Sequence, residues 1–351
     1  MSRASRSRST RASSTTDSTV QLCWSARVER FLMSDIVTLA DGLRLPEGPV
    51  VMPDGSLTLS EVGGGVIINV GLDGSRRLVA EVPGMPNGLA YGPDGALYCA
   101  NMGGLRDPAI LGPGYAADYQ RLLYRGGSIQ RIDVQSGTVA DIVTECDGQP
   151  LLAPNDLVFD DHGGFYFTDF GMTDPRQRYL DKTGIYYARY DGGTASCVVP
   201  EMYATNGIGL SADGQALYWT EYYSGRVYAR KIVSPGRLAE FRAPFEDCVY
   251  IHPAPVTHFD SLTVTASGSL CIAIHNSLPD GRSGILTLSE NGAEVDFVPF
   301  DDATTTHVAL SQSGEARAYV TLSQTGRLCT LPWREHGLAP RFGPAPAAEI
   351  P

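Results

Sequence analysis

Residues 155–170 read NDLVFDDHGGFYFTDF, and the organisation of the whole chain follows from this stretch. A polar residue opens it. A short apolar strand follows, then a turn at His162-Gly163-Gly164, then a second strand rich in aromatic side chains. Aromatic and β-branched residues suit extended backbone, and glycine tolerates the positive φ of a tight hairpin turn. The pattern recurs five more times: EGPVVMPDGSLTLSEV from Glu47, NGLAYGPDGALYCANM from Asn87, NGIGLSADGQALYWTEY from Asn206, DSLTVTASGSLCIAIH from Asp260 and HVALSQSGEARAYVTLS from His307. Successive copies start 40, 68, 51, 54 and 47 residues apart.

A third strand follows each hairpin, usually introduced by glycine, as in GSIQRIDV (127–134) and GRVYARKI (225–232). A fourth follows in most copies: RRLVAEV, GTVADIV, ASCVVPE, RLAEFRA and EVDFVPF. Four antiparallel strands repeated at this period are the mark of propeller blades, which bury each other's faces by stacking around an axis. The expected architecture is all-β: one six-bladed β-propeller of four-stranded antiparallel blades over residues 33–345. Helical periodicity is nearly absent, which excludes an α/β barrel of this size.

The flanks differ in kind. Residues 1–32 open with MSRASRSRSTRASSTTDST, rich in Ser, Thr and Arg and without the apolar core of a secretory signal. They are expected to be a disordered tail, either an organelle transit peptide or sequence upstream of a start at Met33. Residues 346–351 are expected to be a C-terminal tail. Residues 102–127 lengthen the second copy and read either as a cover over a site or as a surface excursion.

A net charge of −12 argues against nucleic acid as a partner, because phosphate binding needs a basic face. No apolar run is long enough to cross a membrane as a helix. The seven cysteines show no C-x-x-C spacing, which excludes a zinc knuckle or redox pair and points to reduced thiols in a cytoplasmic setting. Oligomeric state is not legible.

In a propeller the innermost strand of each blade lines the central channel. The six residues at the start of these strands are Glu47, Asn87, Asn155, Asn206, Asp260 and His307, all polar and all preceding an apolar run. Two carboxylates and up to three amides converging on one point form a hard-ligand set suited to Ca2+ or Mg2+, whereas a softer metal would want Cys or several His. Taken singly, each Asn could instead cap a turn by bonding to backbone. The repeat of polar residues at one position favours the metal reading.

At these residues the chain resembles the SMP-30/gluconolactonase/LRE-like family. The resemblance spans about residues 36–340 and is carried by LPEGPV (45–50), TECDGQPLLAPNDLVFDDHGGFYFTDFG (144–171), TNGIGLSADGQALYW (205–219), FDSLTV (259–264) and AYVTLSQTGRL (318–328). It implies a six-bladed propeller with one divalent metal in the channel, Ca2+ first, with Zn2+, Mg2+ and Mn2+ also admissible. It places metal ligands at Glu47, Asn206 and Asp260, and a metal or substrate contact at Asn155. His307 departs from the family's Asn in that segment and is read as a pocket residue.

The activity implied is hydrolysis of a sugar lactone or other small lactone or ester, by metal polarisation of the carbonyl and attack of water. Asp260 is the expected proton acceptor. Asp156 is a second candidate whose bland alternative is a blade-to-blade hydrogen bond. Asn87 and Asn155 would orient substrate or metal, and Arg106 and Tyr124 in the insertion would close over the substrate. His252, His258 and His275 read as ordinary loop or core histidines. There is no G-x-S-x-G elbow and no H-E-x-x-H motif. Three other readings stay open: a phosphotriesterase-type hydrolase on the same scaffold, a non-enzymatic propeller that binds a ligand or protein, and a strictosidine-synthase-like propeller. The set at Glu47, Asn206 and Asp260 points away from the last.

Overall fold

A computed structural model of the chain describes residues 35–107, 111, 119–174, 179–241, 243, 245–252, 258–275 and 283–344. The two expected tails, residues 1–32 and 346–351, lie outside the described residues, as does much of the insertion.

Six antiparallel sheets account for the fold, and their innermost strands are Pro46–Val51, Pro86–Tyr91, Pro154–Phe159, Thr205–Leu210, His258–Val264 and Thr305–Leu310. Each packs beside the next, and the last packs back against the first, so the ring is closed. The six-bladed propeller read from the repeats is therefore the observed architecture. Among the described residues no helix is long and apolar enough to cross a membrane, and all six described cysteines are free thiols.

The core is divided among the gaps between blades. Ile67, Leu97 and Ile132 fill the space between blades 1 and 2. Tyr98, Phe159 and Phe165 fill the next gap, and Tyr166 and Trp219 the one after. Val227 and Ile272 follow between blades 4 and 5, Ile285 and Val320 between 5 and 6, and Leu59 and Leu328 between 6 and 1. A large side chain buried this way contributes about 1.5–3 kcal/mol, and it does so only while the neighbouring blade is present.

Two strands lie where the repeat pattern did not put them. The outer strand of blade 4 is Cys248–Ile251, which pairs with the third strand Arg226–Ser234. The RLAEFRA stretch contributes only the two-residue strand Arg237–Leu238. The outer strand of blade 6 is Val37–Ala40, from the start of the described chain, paired with Arg327–Pro332. The sixth copy had no fourth strand of its own because the other end of the chain supplies it.

The channel constrains the residue that follows Asn87 and Asn206. A Cβ on Gly88 would lie 2.3 Å from Asp156 Oδ1 and 2.7 Å from its Cα, and one on Gly207 would lie 2.3 Å from the backbone nitrogen of Leu262. The glycine of these N-G pairs is thus required by the approach of the neighbouring inner strand. At the far end of the channel the chain crosses once more. Gly337 donates to the Ser311 carbonyl (3.0 Å) and Leu338 to that of Val264 (3.0 Å), and Arg341 reaches Asp161 (3.3 Å). Between this strap and the polar ring lies a cavity of about 210 Å³, lined mainly by apolar residues of the inner strands, with Asp156 and His307 also in its wall.

Gly207→Ala should therefore destabilise the protein by roughly 1–3 kcal/mol, the usual cost of overpacking a filled core. Gly343→Ala, with nothing within 4 Å of the added carbon, should be close to neutral. Chemical denaturation of the two variants checks this.

Candidate metal and substrate site

The structure buries all six residues predicted to ring the channel: Glu47, Asn87, Asn155, Asn206, Asp260 and His307. Hydroxyl groups on the second strands fix the backbone beneath them. Ser60 donates to the carbonyl of Asn87 (2.8 Å), Thr168 to that of Asn206 (2.6 Å) and Thr220 to that of Asp260 (2.7 Å). Each of these bonds runs from one blade to the next. Ser323 of blade 6 likewise donates to Pro46 of blade 1 (2.7 Å), one residue before Glu47. The ring residues are held by their neighbours' second strands, a role the sequence reading did not give to those hydroxyls.

Two carboxylates face each other across the ring. Burial, followed by the charge of Asp260, pushes the Glu47 carboxyl above its usual range, against the opposing pull of His307 and the Gly48 amide. The Gly48 nitrogen donates to Glu47 Oε2 at 3.0 Å. His307 Nδ1 stands 3.6 Å from the same oxygen, beyond hydrogen-bond length. Burial alone would lower the His307 pKa, but Glu47, Asp156 and Asp260 outweigh it and hold it above its usual value.

The amide oxygens of Asn155 and Asn206 are buried and accept no hydrogen bond from the protein. A buried acceptor left without a partner costs about 1–3 kcal/mol. The ring thus holds two carboxylates and two unpartnered amide oxygens, donor types that suit a hard divalent cation. If the Asn side chains served only to cap turns, these oxygens would be bonded to backbone. Among the described residues no three His, Cys, Asp or Glu side chains group closely enough to hold an ion, so the amide oxygens would have to complete any site. The donors present fit calcium.

Other expected residues fall into different surroundings. Asn87 donates from Nδ2 to Met102 Sδ at 3.5 Å. Asp156 lies against Gly88, and its Oδ1 accepts from the Leu157 amide at 2.9 Å. Burial raises its pKa from the usual 3.8 to about 7. Arg106 is exposed, with its guanidinium 5.9 Å from the centre of the Tyr124 ring, while the Tyr124 hydroxyl donates to Leu152 (2.9 Å).

His275 is not the ordinary core histidine that the sequence suggested. Its Nε2 lies against Asp260 Oδ2, and its Nδ1 is 2.8 Å from the Tyr222 hydroxyl. Burial pulls its pKa down, but the carboxylates of Asp260 and Glu47 outweigh this and raise it. Asp260 is the third residue of the inner strand of blade 5, and His275 ends the second strand, where it pairs with His258. Antiparallel pairing brings the two together, and a count of residues between them does not reveal it.

A family profile described as SMP-30/Gluconolactonase/LRE-like region matches residues 45–324. The chain belongs to this family. Among curated members it is 28% identical to "Lactonase drp35" of Staphylococcus haemolyticus over 257 residues, which are 72% of this chain and 68% of that protein. It is 26% identical to the protein of the same name from Staphylococcus saprophyticus, covering 72% and 69% of the two chains. The fold is shared with a gluconolactonase from Xanthomonas campestris (TM-score 0.65, 22% identity, 85% of this chain and 89% of that one). It is also shared with a calcium-binding protein, regucalcin, from Agrobacterium tumefaciens (TM-score 0.63, 16% identity, 86% and 93%).

The raised pKa of Asp156 makes a pH prediction. Between pH 3.8 and about 7 the folded protein binds a proton at Asp156 that the unfolded chain does not. Stability therefore falls as pH rises through that window and stays low above it. In protein freed of metal, Asp156→Asn removes this loss. The variant should be more stable than the parent at pH 8, by up to about 4 kcal/mol, with the advantage shrinking towards pH 4. Denaturant midpoints at the two pH values measure it.

Proposed function

We propose that the chain is a calcium-dependent hydrolase that opens a small lactone or ester. The observation that carries this reading is that the buried Glu47 carboxyl feels the charge of Asp260, in a ring where the amide oxygens of Asn155 and Asn206 are buried without a hydrogen-bond partner. The drp35 relatives named as lactonases support the reaction class, and the calcium-binding relative of the same fold supports the ion.

Glu47, Asn155, Asn206 and Asp260 would hold the ion, which when bound supplies a Lewis acid for the ester carbonyl and a counter-charge for the oxyanion. The other roles belong to the chain itself. Asp260 takes the proton from the attacking water. His275, backed by the Tyr222 hydroxyl, fixes the Asp260 carboxylate by contact with one of its oxygens. Asn87 and His307 line the pocket beside the reacting centre. Asp156 is better suited to a structural role than to that of a second base, since one of its oxygens is taken by backbone and the group packs on the neighbouring strand. Arg106 remains the candidate substrate contact from the insertion.

Hydrolysis of a panel of small lactones, followed by acid release, tests the reading. Chelation should abolish turnover, and calcium should restore it better than magnesium, manganese or zinc. Asp260→Asn and Glu47→Gln should each lower kcat/KM by about a hundredfold or more. Turnover that survives chelation and both substitutions would remove the metal-centred mechanism.

His275→Ala should cost roughly ten- to a hundredfold in turnover or calcium affinity, the range typical of residues that orient a ligand. Tyr222→Phe should cost less. Calcium titration calorimetry alongside steady-state kinetics separates the two effects.

A further inference from the structure

The second strands run antiparallel to the inner strands, so the residues just beyond their ends stand around the mouth on the side of the polar ring. In blades 3 and 4 these are Phe170 and Tyr222, since Pro154 pairs with Asp169 and Thr205 with Glu221, and in blade 5 His275, the last residue of the second strand, stands level with them opposite His258. They belong to one aromatic wall. Tyr222 stacks flat on His258, with centroids 4.8 Å apart and planes 5° from parallel. Phe170 meets Tyr222 edge-on at 5.4 Å, and Tyr223 meets Tyr222 edge-on at 4.9 Å. The wall rises directly from Asp260 through the Tyr222–His275 contact.

The other side of the mouth is aliphatic. Val62 and Met102, which follow the second strands of blades 1 and 2, pack with Leu105, Leu111 and Leu122 of the insertion. Three hydroxyls among the described residues here are already engaged. That of Tyr222 is on His275, that of Tyr124 on Leu152 and that of Ser323 on Pro46. A polyhydroxylated lactone would lay hydroxyl groups against these aromatic and aliphatic walls, and each one buried there without a partner costs binding. An apolar substituent would instead cover the exposed face of Tyr223, which is 46% accessible.

We propose that this mouth selects lactones with apolar substituents over polyhydroxylated ones, and that the wall of Phe170, Tyr222, Tyr223 and His258 is the specificity determinant. The inference rests on the lactonase reading and names its substrate class. Glucono-δ-lactone, δ-valerolactone and δ-nonalactone share one ring size and differ in what the ring carries, so their kcat/KM values with the full-length, calcium-loaded protein isolate the substituent.

The butyl-bearing δ-nonalactone should exceed glucono-δ-lactone by about tenfold or more, a preference within reach of a few buried methylenes. Tyr223→Ala, at an accessible position, should lower the ratio of δ-nonalactone to δ-valerolactone by roughly fivefold, mainly through KM. A merely structural defect would lower all three values together and leave that ratio in place. A preference for glucono-δ-lactone, or an unchanged ratio in Tyr223→Ala, overturns the proposal while leaving the lactonase reading intact. Hydrolysis of none of the three overturns both.

Discussion

Six strands converge on one axis, and where two inner strands approach most closely there is no room for a side chain. That crowding governs the rest of the structure. It demands glycine after Asn87 and Asn206, because the neighbouring inner strand occupies the place of a side chain. It also forces the polar groups at the strand starts into a shared volume, where Glu47 and Asp260 repel each other and are kept from water. Buried like charges are expensive, with an effective penalty of several kcal/mol per ion. The fold meets that cost in part with imidazoles, His307 near Glu47 and His275 against Asp260. The two free amide oxygens show that the compensation is incomplete. A divalent cation is the simplest completion of such a set.

How much of this was legible in the sequence depends on how locally each feature is encoded. Hairpins such as 155–170 announce themselves, because turn glycines and strand residues lie within one window. The polar ring was legible for the same reason: its members occupy one position in a repeat. Features that depend on which strand lies next to which were not. Ser60, Thr168 and Thr220 look like unremarkable strand residues until a neighbouring blade supplies the carbonyl each one bonds. His275 is separated from Asp260 by a whole hairpin. The outer strand of blade 4 was misplaced because the apolar run at 237–243 comes first along the chain, although the ladder forms at Cys248–Ile251.

Membership of the SMP-30/gluconolactonase/LRE-like family accounts for the scaffold and the acidic ring, but a family of this breadth does not choose a substrate. The choice lies in what surrounds the ring. In this chain that is a stack of aromatic side chains on one side and packed aliphatic ones on the other, both carried by the segments that follow second strands. Such segments lie outside the inner strands, so a change in them leaves the geometry of the axis in place.

The closure of the ring has a consequence for how the protein comes to exist. Glu47 belongs to the first blade and His307 to the last, and the seam between them is fastened by Ser323 on Pro46 and by Val37–Ala40 on Arg327–Pro332. During synthesis every ring residue has left the ribosome well before the strand that completes the seam. Until residues 327–332 emerge, the first and last blades have no fixed relation, and the ligands they carry have no common centre. The polar ring is therefore a late event in the life of the nascent chain. A ligand held by that ring can reward only a finished circle, and the open chain must be kept from aggregating by other means.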